Sequence, residues 1–231
     1  NRLSSLHPTS GAAMKAGWTL DDIAWDDLAY DKVDPEIVKL IKAAALVEHN
    51  GADYTEYLCN VFSDDPDFQA AARKWGREEI QHGQALAQWA MKVDPSFDFD
   101  DAFQRFLDGF RPDVGASESI RGSRSGELVA RCIVETGTSS FYSAIAEATD
   151  EPVLQQICRA IAADEFRHYK LFYDALRRYL DIEGRNAGTS SDVFHPRRGP
   201  APDKPYWTIA RRLHGCDGGP GQRGLVVCPR R

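Results

Sequence analysis

The chain has 231 residues, 42% hydrophobic and 27% charged, with a formal net charge of −7, which is ordinary for a soluble globular protein with one substantial core. No run of about 18 apolar residues offers a membrane span, and the acidic balance argues against nucleic acid as the main partner. The N-terminus has no basic region followed by an apolar core, so no secretion signal is read. The five cysteines, Cys59, Cys132, Cys158, Cys216 and Cys228, form no Cys-x-x-Cys pair, which leaves out a rubredoxin-type iron centre and a zinc knuckle and fits a reducing cytoplasm.

In chain order, residues 1–33 read as an N-terminal strap. Trp18, Leu20, Ile23, Trp25 and Leu28 give it an apolar edge to lay across the helices that follow. A first long helix is expected over 35–62, opened by Asp34 as N-cap and Pro35 at the first helical position. A second is expected over 66–93, opened in the same way by Asp65-Pro66. The short link between them makes them antiparallel neighbours. A long connection follows, with a short helix near 99–110. A third helix is expected over 126–148 with Ser125 as N-cap, and a fourth over 152–182, again joined by a short link. Short, long, short is the connection pattern of two antiparallel hairpins joined by a crossover. The bundle is bounded at 34–184. Residues 185–231 read as a Gly/Pro/Arg-rich disordered tail, which from Asn186 onward carries a net charge of +5 against −12 for the rest.

Two strings on these helices have one form. Glu78-Glu79-Ile80-Gln81-His82 and Asp164-Glu165-Phe166-Arg167-His168 are each acid, Glu, two residues, His. Each follows a lone helical glutamate at nearly the same distance, Glu48 before Glu79 and Glu135 before Glu165. Residues i and i+3 share one helix face, so Glu79 with His82, and Glu165 with His168, can hold one cation together. Antiparallel hairpins return Glu48 to the level of Glu79 and Glu135 to that of Glu165. Four helices offering Glu, Glu-x-x-His, Glu and Glu-x-x-His form the di-iron carboxylate site of a ferritin-like four-helix bundle. The fold class expected is therefore all-α, and the ligand types favour two Fe ions, or Mn, over Zn. A single Glu-x-x-His is weak evidence, since Asp192 and His195 in the tail share the spacing; the duplication carries the argument.

Glu78 and Asp164, about 100° around their helices from the ligand Glu, can accept the second ring N–H of a histidine on a neighbouring helix or stand as solvated helix acids. Gly51, Gly83 and Gly137 leave room for O2 or an apolar substrate, or permit close helix packing. Phe141, Tyr142, Phe166 and Trp89 line a cavity or fill the core. Tyr142 and Tyr169 are candidates for relaying an electron.

The segment Ile161-Ala162-Ala163-Asp164-Glu165-Phe166-Arg167-His168 resembles the corresponding helix of the soluble acyl-acyl-carrier-protein desaturases, and Glu78-Glu79-Ile80-Gln81-His82-Gly83 resembles their other motif helix. The resemblance runs from about residue 35 to 180. It implies Glu48, Glu79, His82, Glu135, Glu165 and His168 as iron ligands, with Glu79 and Glu165 bridging. It places Thr138, three residues after Glu135, on the oxygen side of the iron pair; the bland reading is a helical Thr bonded back to a carbonyl. It further implies O2, an external ferredoxin-like electron donor, a fatty-acyl or other apolar substrate on an acyl carrier, and a homodimer. The tail does not resemble the further helices that shape the family's substrate channel and dimer. Two other readings stand beside the desaturase-like oxidoreductase: a ferritin- or rubrerythrin-like protein handling iron or peroxide, and a non-catalytic metal-binding helical module.

Overall fold

The computed structural model describes residues 14–110 and 112–186, and every regular element among them is helical. The tail from residue 187 on, with Asp192, His195, Cys216 and Cys228, lies outside the described residues, as do residues 1–13 of the strap. Three 3-10 turns, Leu20–Asp22, Trp25–Asp27 and Tyr30–Lys32, lead into α1 (Pro35–His49), α2 (Gly51–Val61), α3 (Pro66–Val93), α4 (Phe99–Gly109), α5 (Arg124–Ala148) and α6 (Pro152–Asn186).

The helix starts follow from capping chemistry, in which a side-chain oxygen takes up one of the otherwise unpartnered N–H groups. Asp34 accepts from Glu36 N, Asp65 from Phe68 N and Asp98 from Asp101 N. Helix α5 starts two residues before its expected position, because Ser123 rather than Ser125 accepts from Gly126 N. Ser125 is free to bond Glu183 on α6 instead.

The single helix expected over 35–62 is broken at Asn50 (φ −78°, ψ 12°), so that α1 ends one residue after Glu48. Asn50-Gly51 places two poor helix formers in succession. Tertiary packing uses the break, since this part of the chain lies almost against the backbone of α3. A Cβ on Gly51 would sit 2.7 Å from Glu79 Cβ, and one on Gly83 would sit 2.5 Å from His49 N. Gly51 and Gly83 therefore serve close packing and leave no open space. Gly137 is exposed, with nothing within 4 Å of where its Cβ would be.

Helices α1 and α2 pack on α3, α5 packs on α6, and α3 packs on α6. The apolar side chains form two clusters. One contains Ile41, Ala45, Leu86, Trp89, Tyr142, Ile145, Ile157 and Ile161. The other contains Leu58, Phe62, Phe68, Trp75, Leu128, Phe172 and Leu176. Along every long helix the order is one cluster, then the Glu and His positions, then the other cluster. In α3 and α5 the order is reversed relative to α1–α2 and α6. The helices of each hairpin are thus antiparallel. The connection between α3 and α5, which carries α4, spans the length of the layers. The result is a layer of buried acids and imidazoles held between two apolar layers.

The strap lies over α3 and α6. Trp18 and Ile23 are buried in the first cluster. Gln81 Nε2 donates to Trp18 O, and Gln156 bonds both Ala24 N and Asp22 O. Cys132 and Cys158 are buried, Cys59 is half-buried, and all three are free thiols.

Candidate metal centre

Six side chains from four helices meet between the apolar layers. Helix α1 supplies Glu48 from its last turn, α3 supplies Glu79 and His82, α5 supplies Glu135, and α6 supplies Glu165 and His168. All six are buried. They form two overlapping groups, Glu48, Glu79, His82 and Glu165, and Glu79, Glu135, Glu165 and His168, with one potential ligand atom per residue lying within 4.8 Å of the others in its group. Glu79 and Glu165 belong to both groups.

Both imidazoles turn Nδ1 inward. His82 Nδ1 lies 3.1 Å from Glu165 Oε1 and 3.9 Å from Glu79 Oε1. His168 Nδ1 lies 2.9 Å from Glu79 Oε1 and 3.5 Å from Glu135 Oε2. Both turn Nε2 outward to the acids that precede the ligand glutamates. His82 Nε2 is 3.0 Å from Asp164 Oδ2, and His168 Nε2 is 2.8 Å from Glu78 Oε2. Each acid serves the histidine of the other hairpin, an arrangement that sets ring orientation and tautomer.

The electrostatics of the centre are those of charges short of a partner. Burial, then the charge of Glu165, raises the Glu48 carboxyl above its ordinary value; the same two causes and Glu48 itself lift Glu79 well above it. Burial and Glu135 raise Glu165. Burial alone would push the His82 imidazole down, but the Asp164 and Glu165 carboxylates that face it carry it up to about 9. His168 is raised well above its ordinary value because Glu135, Glu78 and Glu79 outweigh burial. Asp164 and Glu78 are lowered in spite of burial, chiefly by the histidines they face. Without a cation, then, shared protons must offset the like charges.

Even so, five inward atoms, Glu79 Oε1, His82 Nδ1, Glu135 Oε2, Glu165 Oε1 and His168 Nδ1, are buried with no aligned hydrogen bond. Buried polar atoms are normally satisfied. Five orphans converging from three helices fit divalent cations, with carboxylate and imidazole donors of the type that iron and manganese take.

Thr138 Oγ1 is 2.5 Å from Glu165 Oε2 and 3.1 Å from the carbonyls of Val134 and Glu135. With one proton it can donate fully to only one of these. Trp89 and Tyr142 are fully buried core residues, whereas Phe166 is 66% exposed because it stands on the outer face of α6 with Ala163, Lys170 and Tyr173. Phe166 therefore lines no internal cavity. Tyr169 stacks between Phe166 and Tyr173.

Trp18 was legible only as an apolar strap residue, yet its indole reaches the centre. Nε1 donates to Asp164 Oδ2 at 2.9 Å, and the ring lies nearly parallel to that of His82, 8° apart with centroids at 6.0 Å. Asp164 also pairs with Arg167. A second buried polar cluster escaped the sequence reading altogether. Glu127 accepts from Tyr57 and Ser119, both at 2.8 Å, and lies 3.6 Å from Arg131 Nε. Its only sequence signal is the i, i+4 spacing of Glu127 and Arg131.

A family model described as fatty acid desaturase matches residues 53–194, more than half of the chain. The chain belongs to the fatty acid desaturase family. Membership makes it an oxidoreductase of the desaturase type, with fatty acids as the substrate class. The matched span includes five of the six clustered side chains and Thr138 but begins after Glu48, and it leaves out the strap with Trp18. No curated protein and no solved structure matches the chain. Among the described residues, no helix is long and apolar enough to cross a membrane.

Proposed function

We propose that the protein is a di-iron desaturase built on a ferritin-like four-helix bundle. Glu48, Glu79, His82, Glu135, Glu165 and His168 would hold the metal pair, with Glu79 and Glu165 common to both groups. The observation that carries this reading is the convergence of five buried, unsatisfied ligand atoms on one layer; the double Glu-x-x-His spacing and family membership support it. Manganese is the alternative metal. When bound, the metal pair supplies the redox chemistry, in which reduction of O2 is coupled to removal of two hydrogens from a fatty-acyl or similarly apolar chain.

The protein's own part is to hold and insulate that chemistry. Asp164 and Glu78 orient the two imidazoles by accepting at Nε2. The two apolar layers exclude water from above and below. The Thr138 hydroxyl, 2.5 Å from Glu165 Oε2, can hold a proton at that carboxylate. Electrons come from a separate ferredoxin-like donor, and an acyl carrier presents the substrate.

The test has two parts. Protein from iron-supplemented cells is analysed for metal, with about two irons per chain expected; Glu79→Ala and Glu165→Ala should each lose most of it, because each removes a ligand shared by both groups. The loaded protein is then supplied with ferredoxin, its reductase, O2 and acyl-carrier-bound fatty acids, and products are read by mass spectrometry. A product two mass units lighter is expected. Full metal occupancy in Glu165→Ala would refute the ligand set, and peroxide consumption with no acyl product would refute the desaturase reading.

A further inference from the structure

The two halves of the centre offer the same ligand types but are not held alike. Tyr142 lies on α5 two turns beyond Glu135, wholly buried in the first apolar cluster. Its hydroxyl donates to Glu48 Oε1 at 2.5 Å. A phenol has few torsions, and this one is packed on all sides with Phe141 edge-on against it. The bond holds the Glu48 carboxylate in one orientation at the edge of the centre.

Glu135, the corresponding carboxylate of the other half, has no such donor. Its Oε2 is buried without a hydrogen bond, with His168 Nδ1 at 3.5 Å. Thr138, one turn away, is directed at Glu165 and at backbone carbonyls. The acids behind the histidines differ in the same sense. Asp164, behind His82, is buried and held by Trp18 and Arg167. Glu78, behind His168, is half-buried, with Lys74 no nearer than 3.8 Å.

We propose that Tyr142 is a positioning residue for Glu48 and that, through it, the Glu48–His82 group takes a divalent cation before the Glu135–His168 group does. The inference rests on the metal reading above and adds an order to it. Two effects oppose each other. A hydrogen bond accepted by a carboxylate draws electron density from it and weakens it as a ligand. A ligand already held in its bound geometry loses less freedom on binding. The second effect wins, since removing the partners that hold metal ligands typically costs about 10–100-fold in affinity.

The experiment is an anaerobic titration of the cation-free full chain with Co(II), followed by visible absorption and calorimetry. The wild type should bind two ions in two resolved steps. Tyr142→Phe, which removes one oxygen from a fully packed site, should weaken the first step about 10–100-fold and leave the second in place. Its cation-free melting curve reports that it folds. Glu48→Gln should abolish the first step and Glu135→Gln the second, which decides the order even if Tyr142→Phe does not fold. A Tyr142→Phe titration that superimposes on the wild type overturns the proposal, as does loss of the tighter step in Glu135→Gln or two equal steps in the wild type. These outcomes leave the metal centre standing. A wild type that binds no Co(II) refutes the centre itself.

Discussion

Glu151 shows what a single residue can do out of reach of pattern reading. It precedes Pro152 at the start of α6, where an acidic cap is expected. In the fold it is completely buried and receives four N–H groups: Leu154 and Val153 from its own helix, the Trp89 indole from α3 at 2.7 Å, and Ala29 from the strap at 3.1 Å. One carboxylate therefore ties three separate segments together. Glu151→Ala strands these donors in an apolar layer, so urea unfolding at neutral pH should show a loss of about 3 kcal/mol, more than an exposed cap is worth. Tyr142 teaches the same lesson. Its aromatic character and helical spacing mark it as core, which it is, but the hydroxyl's partner, Glu48, stands 94 residues away and no local pattern points to it. Glu79, His82, Glu165 and His168 stood out because i, i+3 spacing on a helix is itself geometry.

At the scale of the element, glycines with equal helix propensity have opposite uses. Gly83 faces the His49 backbone, which cannot move aside as a flexible side chain could. Gly83→Ala gains about 1 kcal/mol of helix propensity, but overpacking costs about 1–3 kcal/mol and parts α1 from α3. Thermal melting should show a net loss. Gly137→Ala meets nothing and should raise the melting temperature, with a stability gain of about 0.5–1 kcal/mol from helix propensity alone. The first turn of α3 supplies a pH prediction. Burial would raise the Asp65 carboxyl, but the Phe68 N–H, the Tyr179 hydroxyl at 2.8 Å and Arg178 at 2.6 Å hold it below its ordinary value. A lowered carboxyl contributes its stability in full above its unfolded value, and loses it as pH falls through the folded one. The stability difference between wild type and Asp65→Asn should therefore be constant near neutrality and shrink below about pH 4, as read by denaturant midpoints. The break at Asn50 also belongs to this scale. The apolar spacing over 35–62 runs on through it, and only the close approach of α3 gives Asn50-Gly51 its consequence.

For the whole molecule, the polar layer between two apolar clusters is a liability unless something neutralises it. Four buried carboxylates face two imidazoles, and burial raises three of those carboxyls. If divalent cations are the partners, they bind the native state alone, since the unfolded chain has no such cluster, and binding free energy becomes folding free energy. A cation at about 100 times its dissociation constant stabilises by about 2.7 kcal/mol. Scanning calorimetry should accordingly show a clear fall in melting temperature when the loaded protein is stripped with a chelator, and recovery when Fe(II) or Mn(II) is restored without air. An unchanged melting temperature would mean that protons suffice to balance the layer.

By itself the sequence determined the helical class, most helix starts and the positions at which acids and imidazoles could share a helix face. These depend on the 3.6-residue period, on Asp-Pro and Ser caps and on short links, all of them interactions within a few residues of each other. Only the tertiary structure decided which side chains oppose one another across helices: Tyr142 with Glu48, Trp18 with Asp164 and His82, Glu151 with Trp89 and Ala29, Gly83 with His49. Each such pairing joins residues from 34 to 146 positions apart, as in Gly83 to His49 and Trp18 to Asp164. It exists because packing two antiparallel hairpins under the strap brings those residues together, and a local pattern carries no record of that distance.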